Sequence, residues 1–100
     1  IKADGKIYKI TYDSILFVQA LGDYIQLHTA ERKIVTSHSM KEMEELLPDD
    51  KFMRVHRSYI VSMKKIEVID GNTIKIGAHE IPVGKSYRTV FFEKINQKNM

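Results

Sequence analysis

The segment IEVIDGNTIKI, residues 66–76, has one ready fold: two short strands doubled back on a glycine corner. Apolar side chains alternate with polar ones on both flanks. Asp70-Gly71-Asn72 between them supplies residues that tolerate positive φ, as tight hairpins require. A chain holding this unit contains antiparallel sheet, and most of its other segments read the same way. KIYKI alternates, with Ile7, Tyr8 and Ile10 as apolar members, and predicts an opening strand that ends near Tyr12-Asp13. SILFVQAL is a short apolar run suited to a strand buried on both faces. After the turn signal Gly22-Asp23, YIQLHT alternates again, and KIVTS follows as a further hairpin partner. KFMRV and SYIVS flank an His-Arg joint, and GAHEIPV gives a last strand. Pro82 has no N–H for a ladder, so it marks an edge strand or a strand end.

One stretch breaks the pattern. In SMKEMEELL (39–47), Met40, Met43, Leu46 and Leu47 recur at helical spacing, with Lys41, Glu42, Glu44 and Glu45 opposite them. Ser39 and Glu42 have capping-box spacing and Pro48 is a stop, so a short amphipathic helix lies over a sheet with its methionines as core filler. From Ser86, the spacing of Tyr87, Val90/Phe91 and Ile95 predicts a short terminal helix or helical turn, with Ser86 as N-cap. The two helical segments lie far apart in sequence, which excludes a helix-turn-helix. The expected architecture is mainly antiparallel β, with eight or so short strands and two brief helices.

One hundred residues with no long linker, low-complexity tract or repeat read as one domain, residues 1–100, with a modest core. There are no cysteines, which excludes a disulfide framework and a thiolate zinc site. No apolar run reaches the roughly 18 residues of a membrane span, so no membrane partner is expected. The chain opens without Met, which suits a domain cut from a longer protein.

Charge is uneven. Residues 1–50 carry six Lys/Arg against nine Asp/Glu; residues 51–100 carry ten against four. A basic second half favours a polyanionic partner through phosphate neutralisation.

Enzyme chemistry finds no support. His28, His38, His56 and His79 are scattered without metal-ligand spacing. Ser58 beside His56 lacks an orienting acid, no Gly-rich phosphate loop exists, and a solvated helix face accounts for Glu42, Glu44 and Glu45. The chain reads as a non-enzyme with no cofactor and no metal. Basic and hydrogen-bonding groups gather instead at junctions: RVHRS, MKK and VGKSYR. On a rigid β scaffold such junctions converge on binding surfaces. Arg57 has the fork for a guanine edge or a phosphate, and Lys85, Ser86 and Arg88 stand at the start of a helical turn. Tyr59 and Tyr87 have faces for base stacking, but their apolar spacing assigns them to the core.

These stretches resemble a known family. FMRVHRSYIVSMKKIEVI followed by IPVGKSY is similar to the LytTR-type (LytR/AgrA-like) DNA-binding domain of bacterial two-component response regulators. The family pattern has a strand ending F-x-R-x-H-R-S-[FY]-[IV]-[IV]-N and a later [IL]-P-V-S-[RK]-x-Y. ILFVQALGDYIQLHT and SMKEMEELLP fit its upstream order, so the resemblance spans essentially the whole chain. It implies an elongated, almost all-β fold of about ten strands. It also implies sequence-specific binding of double-stranded DNA by loops inserted into successive major grooves, at direct-repeat sites, in transcription regulation. By matching position, three places would carry the contacts: the loop Leu21-Gly22-Asp23-Tyr24; the joint with His56, Arg57 and Ser58, with Arg54 nearby; and Lys85, Ser86 and Arg88 after Pro82. His56 would support the joint by hydrogen bonding, and Arg57 would be the principal reader. An N-terminal receiver domain would precede residue 1, homodimerisation would run through that receiver, and the location would be cytoplasmic. This sequence departs from the pattern at Ser62, where Asn is usual, at Gly84, where Ser is usual, and at acidic Asp23 in the first loop.

The alternative from another class is a small β module that binds a protein or peptide at a strand edge. A third, more remote, is a metal-dependent enzyme built on the histidines.

Overall fold

The computed structural model describes residues 1–98 and comprises ten strands and two helices in an elongated body of 43 × 24 × 23 Å. In chain order the strands are β1 (Lys2–Ala3), β2 (Lys6–Ile7), β3 (Ile15–Leu21), β4 (Tyr24–Thr29), β5 (Lys33–Thr36), β6 (Phe52–His56), β7 (Tyr59–Ser62), β8 (Val68–Asp70), β9 (Thr73–Ile76) and β10 (His79–Pro82). The helix α1 (Met40–Leu46) separates β5 from β6, and α2 (Arg88–Lys98) closes the described chain. The mainly β architecture expected from the alternating segments is the one observed.

The strands form three antiparallel sheets: a β1–β2 ribbon, a central sheet in the order β5-β4-β3-β7-β6, and a small sheet in the order β10-β9-β8. Local chemistry explains the hairpins. Gly22, Gly71 and Gly77 each occupy the first position of a two-residue turn at φ 58 to 60°, the left-handed value that lets strands twist together without a steric cost. Pro82 ends β10, an edge strand, where its missing N–H is harmless.

The middle of the central sheet is covered on both faces, so β3 and β7 are largely apolar, while β4 and β5 towards its edge alternate. On one face Ile15, Val18, Ile25, Leu27, Ile34, Phe52 and Ile60 pack with Met40, Met43 and Leu47 of the α1 segment. On the other, Phe17, Val55 and Val61 pack with Ile74, Ile76 and Ile81 of the small sheet and Phe91 of α2. A register irregularity between Ile15 and Phe17 lets Ile15 and Val18, three apart, share a face. Fully burying side chains such as Val18, Leu27, Val55, Ile74 and Phe91 contributes about 1.5–3 kcal/mol each.

Three local expectations needed adjustment. KIYKI is strand only through Ile7, which is exposed; Tyr8 and Ile10 then pack on the core as irregular chain. In α1 the capping box of Ser39 and Glu42 forms in both directions, but Leu46 is exposed and the buried set is Met40, Met43 and Leu47. Leu47 has already left the helix at ψ 135°, and this swings it inward while Leu46 stays on the outer side. The last helix is a full eleven residues starting at Arg88. Ser86 sits inside the preceding 3₁₀ turn Lys85–Tyr87, whose N-cap residue is Gly84.

Candidate nucleic-acid interface

The antiparallel pairing of β3 and β7 sets the geometry of one end of the central sheet. Gln19 faces Tyr59; beyond that pair β3 runs on to Leu21 and turns at Gly22-Asp23, while β7 is entered from the turn Arg57-Ser58. The Ala20 N–H donates to the Ser58 carbonyl at 2.8 Å, so the two turns stand side by side. The third segment joins them from the small sheet: the Gly84 N–H donates to the Val55 carbonyl at 2.7 Å. Gly84 lies so close to the joint that a Cβ there would stand 3.3 Å from His56 Cδ2 and 3.1 Å from Tyr87 Cδ2. His56, Arg57, Gly84, Lys85, Ser86 and Tyr87 line one shallow surface depression. The three segments that the family resemblance implies for DNA contact thus share one end of the central sheet.

The Arg57-Ser58 turn is built differently from its neighbours. Its residues have no positive φ, so it is not a primed hairpin turn, and the β6–β7 ladder is irregular between Arg54 and His56. Side chains hold it instead. His56 Nδ1 accepts the Ser58 N–H at 3.0 Å. Arg54 donates from Nε to the His56 carbonyl at 3.3 Å, from Nη2 to the Arg57 carbonyl at 2.6 Å, and from Nη1 to Glu44 Oε1 at 3.0 Å. His56 supports the joint by hydrogen bonding, in the manner read from the sequence, whereas Arg54 spends its guanidinium inside the molecule. The side chains that stay exposed are Arg57, Lys85, Ser86 and Arg88, with Ser58 half-buried. Among the described residues no ion pair involves Arg57, Lys85 or Arg88; Arg88 Nε makes only a long 3.4 Å bond to the Val83 carbonyl. In the first loop Leu21, Gly22, Asp23 and Tyr24 are all exposed, Tyr24 at 56%.

MKK does not join this surface. Met63–Lys65 follows the far end of β7, opposite the Arg57-Ser58 turn, and Lys64 is paired with Asp13 at 2.6 Å. That pairing holds the Asp13 carboxyl below its ordinary value, first through the hydrogen bond from Lys64 and then through its charge. Tyr59 and Tyr87 are half-buried against the second core, in keeping with their apolar spacing.

Beneath the surface a polar row crosses the sheet. His28 Nε2 meets Gln19 Oε1 at 3.1 Å, and Gln19 Nε2 donates to the Tyr59 hydroxyl at 3.1 Å. Tyr59 in turn meets the His56 ring edge to face, with centroids 5.6 Å apart. His28 is buried, stacked on Phe17 at 4.1 Å, and its Nδ1 has no partner. Burial above all, then His79 and Lys33, lowers its pKa to about 4, so the ring is neutral at pH 7. Among the described residues no group of three or more His, Cys, Asp or Glu is placed to hold a metal ion, and no helix is long and apolar enough to cross a membrane.

Two participants escaped sequence reasoning. Glu44 lies on the solvated face of α1 that the sequence predicts and also holds Arg54 across the α1–β6 gap; no local signal marks this pairing, because it is tertiary. Gln19, within the apolar run SILFVQAL, carries no signal of the hydrogen bonds it makes to His28 and Tyr59.

Comparison with known proteins points to one family. The model of the LytTr DNA-binding domain family matches residues 5–96. A solved structure, the LytTr DNA-binding domain of a protein described as a methyl-accepting/DNA response regulator from Bacillus cereus, superposes with a TM-score of 0.77 at 27% identity, covering 84% of this chain and 83% of that one. The sensory transduction protein LytT of Enterococcus faecalis is 25% identical over 101 residues, covering 95% of this chain and 42% of that protein. The transcriptional regulatory protein LytR of Staphylococcus aureus is 28% identical over 69 residues, covering 69% of this chain and 28% of its own length. The chain spans less than half the length of these curated relatives.

Proposed function

This chain belongs to the LytTr DNA-binding domain family, and from that premise we propose that residues 1–100 act as one sequence-specific, double-stranded DNA reader in the output domain of a response regulator. DNA binding in transcription regulation is the family's work, and the family is not one of enzymes. The observation that carries the finer reading is the convergence of the Gly22-Asp23 turn, the Arg57-Ser58 turn and the Lys85–Tyr87 turn at one end of the central sheet.

In this reading the exposed turns enter the major groove. Arg57 offers its guanidinium to a guanine edge, the commonest specific base contact. Lys85, Ser86 and Arg88 approach phosphate or adjacent bases, and Ser58 supports the register. The exposed Asp23 repels phosphate, so the first loop contributes a base contact through a cytosine amino group or the turn backbone. Arg54 and His56 shape the joint rather than touch DNA. A receiver domain preceding residue 1 pairs two such modules on direct-repeat sites, which raises the effective concentration of the second on DNA. The work takes place in the cytoplasm, with the DNA. A peptide-binding strand edge is not favoured, since family membership points elsewhere.

In-vitro selection of bound duplexes from a random pool tests the reading and supplies the site. A converged sequence motif, bound with an affinity that falls steeply as salt rises, is the expected result. No enrichment, with no duplex binding even at low salt in a dimerised form, sinks it.

A further inference from the structure

We propose that Arg54 and Glu44 are positioning residues for the Arg57-Ser58 turn, and that through them α1 presets the conformation in which Arg57 meets DNA. The inference rests on the DNA-reading role proposed above. A two-residue hairpin without positive φ twists against its strands, so this turn does not hold its shape from backbone preference alone. One planar guanidinium supplies what is missing. It donates to the carbonyls of both residues on the rise of the turn, His56 at 3.3 Å and Arg57 at 2.6 Å. Its remaining edge is fixed by Glu44 at 3.0 Å, a residue carried on a helix that is itself anchored by a capping box and by buried Met40 and Met43. Arg54 is largely covered, at 22% side-chain exposure, while Glu44 is half in solvent at 48%. Lysine cannot reproduce this, because an ammonium is a point charge without a fork.

For neither of the two substitutions that test the role does charge alone predict weaker binding. Arg54→Lys keeps the charge, so a phosphate clamp would keep its affinity and its salt slope. Glu44→Gln removes an acid beside the DNA surface, so charge alone would strengthen binding. A positioning role requires that each weaken binding to the selected duplex about tenfold, as losing one charge-assisted hydrogen bond does, while low-salt binding to random duplex is not weakened. It also requires that the pair be non-additive, Glu44→Gln adding little once Arg54 is Lys. Amide hydrogen exchange at Ser58 in the free protein gives a readout without DNA: both variants should speed it, with the thermal midpoint held. Retained cognate affinity in Arg54→Lys, or unchanged or tighter binding in Glu44→Gln, overturns the proposal while wild-type binding stands. Wild-type protein that selects no duplex at all overturns the DNA reading itself, and the positioning role with it.

Discussion

The Gly84 amide donates to the Val55 carbonyl at 2.7 Å, and this bond fastens the loop after β10 to the strand that leads into the Arg57-Ser58 turn. Val55 is fully buried, so the loop inherits its position from the core. Gly84 itself has φ −63° and ψ 148°, values open to any residue. Glycine is therefore used for room and not for backbone freedom. Alanine would gain a few tenths to 1 kcal/mol from the unfolded state and lose a comparable amount to crowding against His56 and Tyr87. Gly84→Ala should leave the thermal midpoint within a few degrees of wild type yet weaken binding to a selected duplex, because Tyr87 and the Lys85-Ser86 turn must move outward. Equal affinity of the two proteins, measured at one salt concentration, would refute the packing account.

Arg57→Ala should cost about 1–3 kcal/mol on a cognate site and much less on random duplex, if the guanidinium reads a base edge. The fold should be indifferent, since it is the Arg57 carbonyl that Arg54 holds and the side chain is exposed. Titrations of both duplexes decide the matter. A uniform loss, with the salt slope reduced by about one, would instead make Arg57 a phosphate contact.

Adjacent leucines should behave as different residues. Leu47 is buried and Leu46 is 56% exposed. Leu47→Ala should destabilise by roughly 2–4 kcal/mol, a large share of the total stability of a domain this size. Leu46→Ala should stay within about 0.5 kcal/mol. Urea unfolding of the two variants separates them at once.

His28 makes stability depend on pH in a definite direction. Its folded pKa is held at about 4, below the ordinary 6.5, so the native state favours the neutral ring. Above pH 6.5 the ring is neutral folded or unfolded, and the full stability is present. As pH falls from 6.5 towards 4 the unfolded chain takes up a proton that the fold refuses. Stability therefore declines, by up to about 3 kcal/mol once pH passes the folded value. Urea midpoints at pH 7, 5.5 and 4.5 should fall in that order, and more steeply than for His28→Gln. Parallel slopes for the two proteins would show that the carboxylates alone set the dependence.

The sequence by itself determined the local pieces. Glycine at Gly71 and the period-2 flanks specify a hairpin, Ser39 and Glu42 specify a helix start, and the unbroken apolar run at Ile15–Val18 specifies a strand covered twice. Each of these is a short-range effect, settled by a residue's own conformational preference or by its near neighbours. The same chemistry marked Arg57, Lys85 and Ser86 as groups placed at junctions. Sequence alone left undecided which junctions would meet. RVHRS, VGKSYR and MKK looked alike as basic joints, and only strand order sends the first two to one end of the central sheet and the third to the other. It favoured Arg57 over Arg54, three positions apart in one basic run, without the physical reason. Their roles diverge because Glu44 arrives from α1 to claim one guanidinium, while among the described residues no carboxylate pairs with the other. A charge becomes a brace or a reader according to what the tertiary structure brings within hydrogen-bonding distance of it.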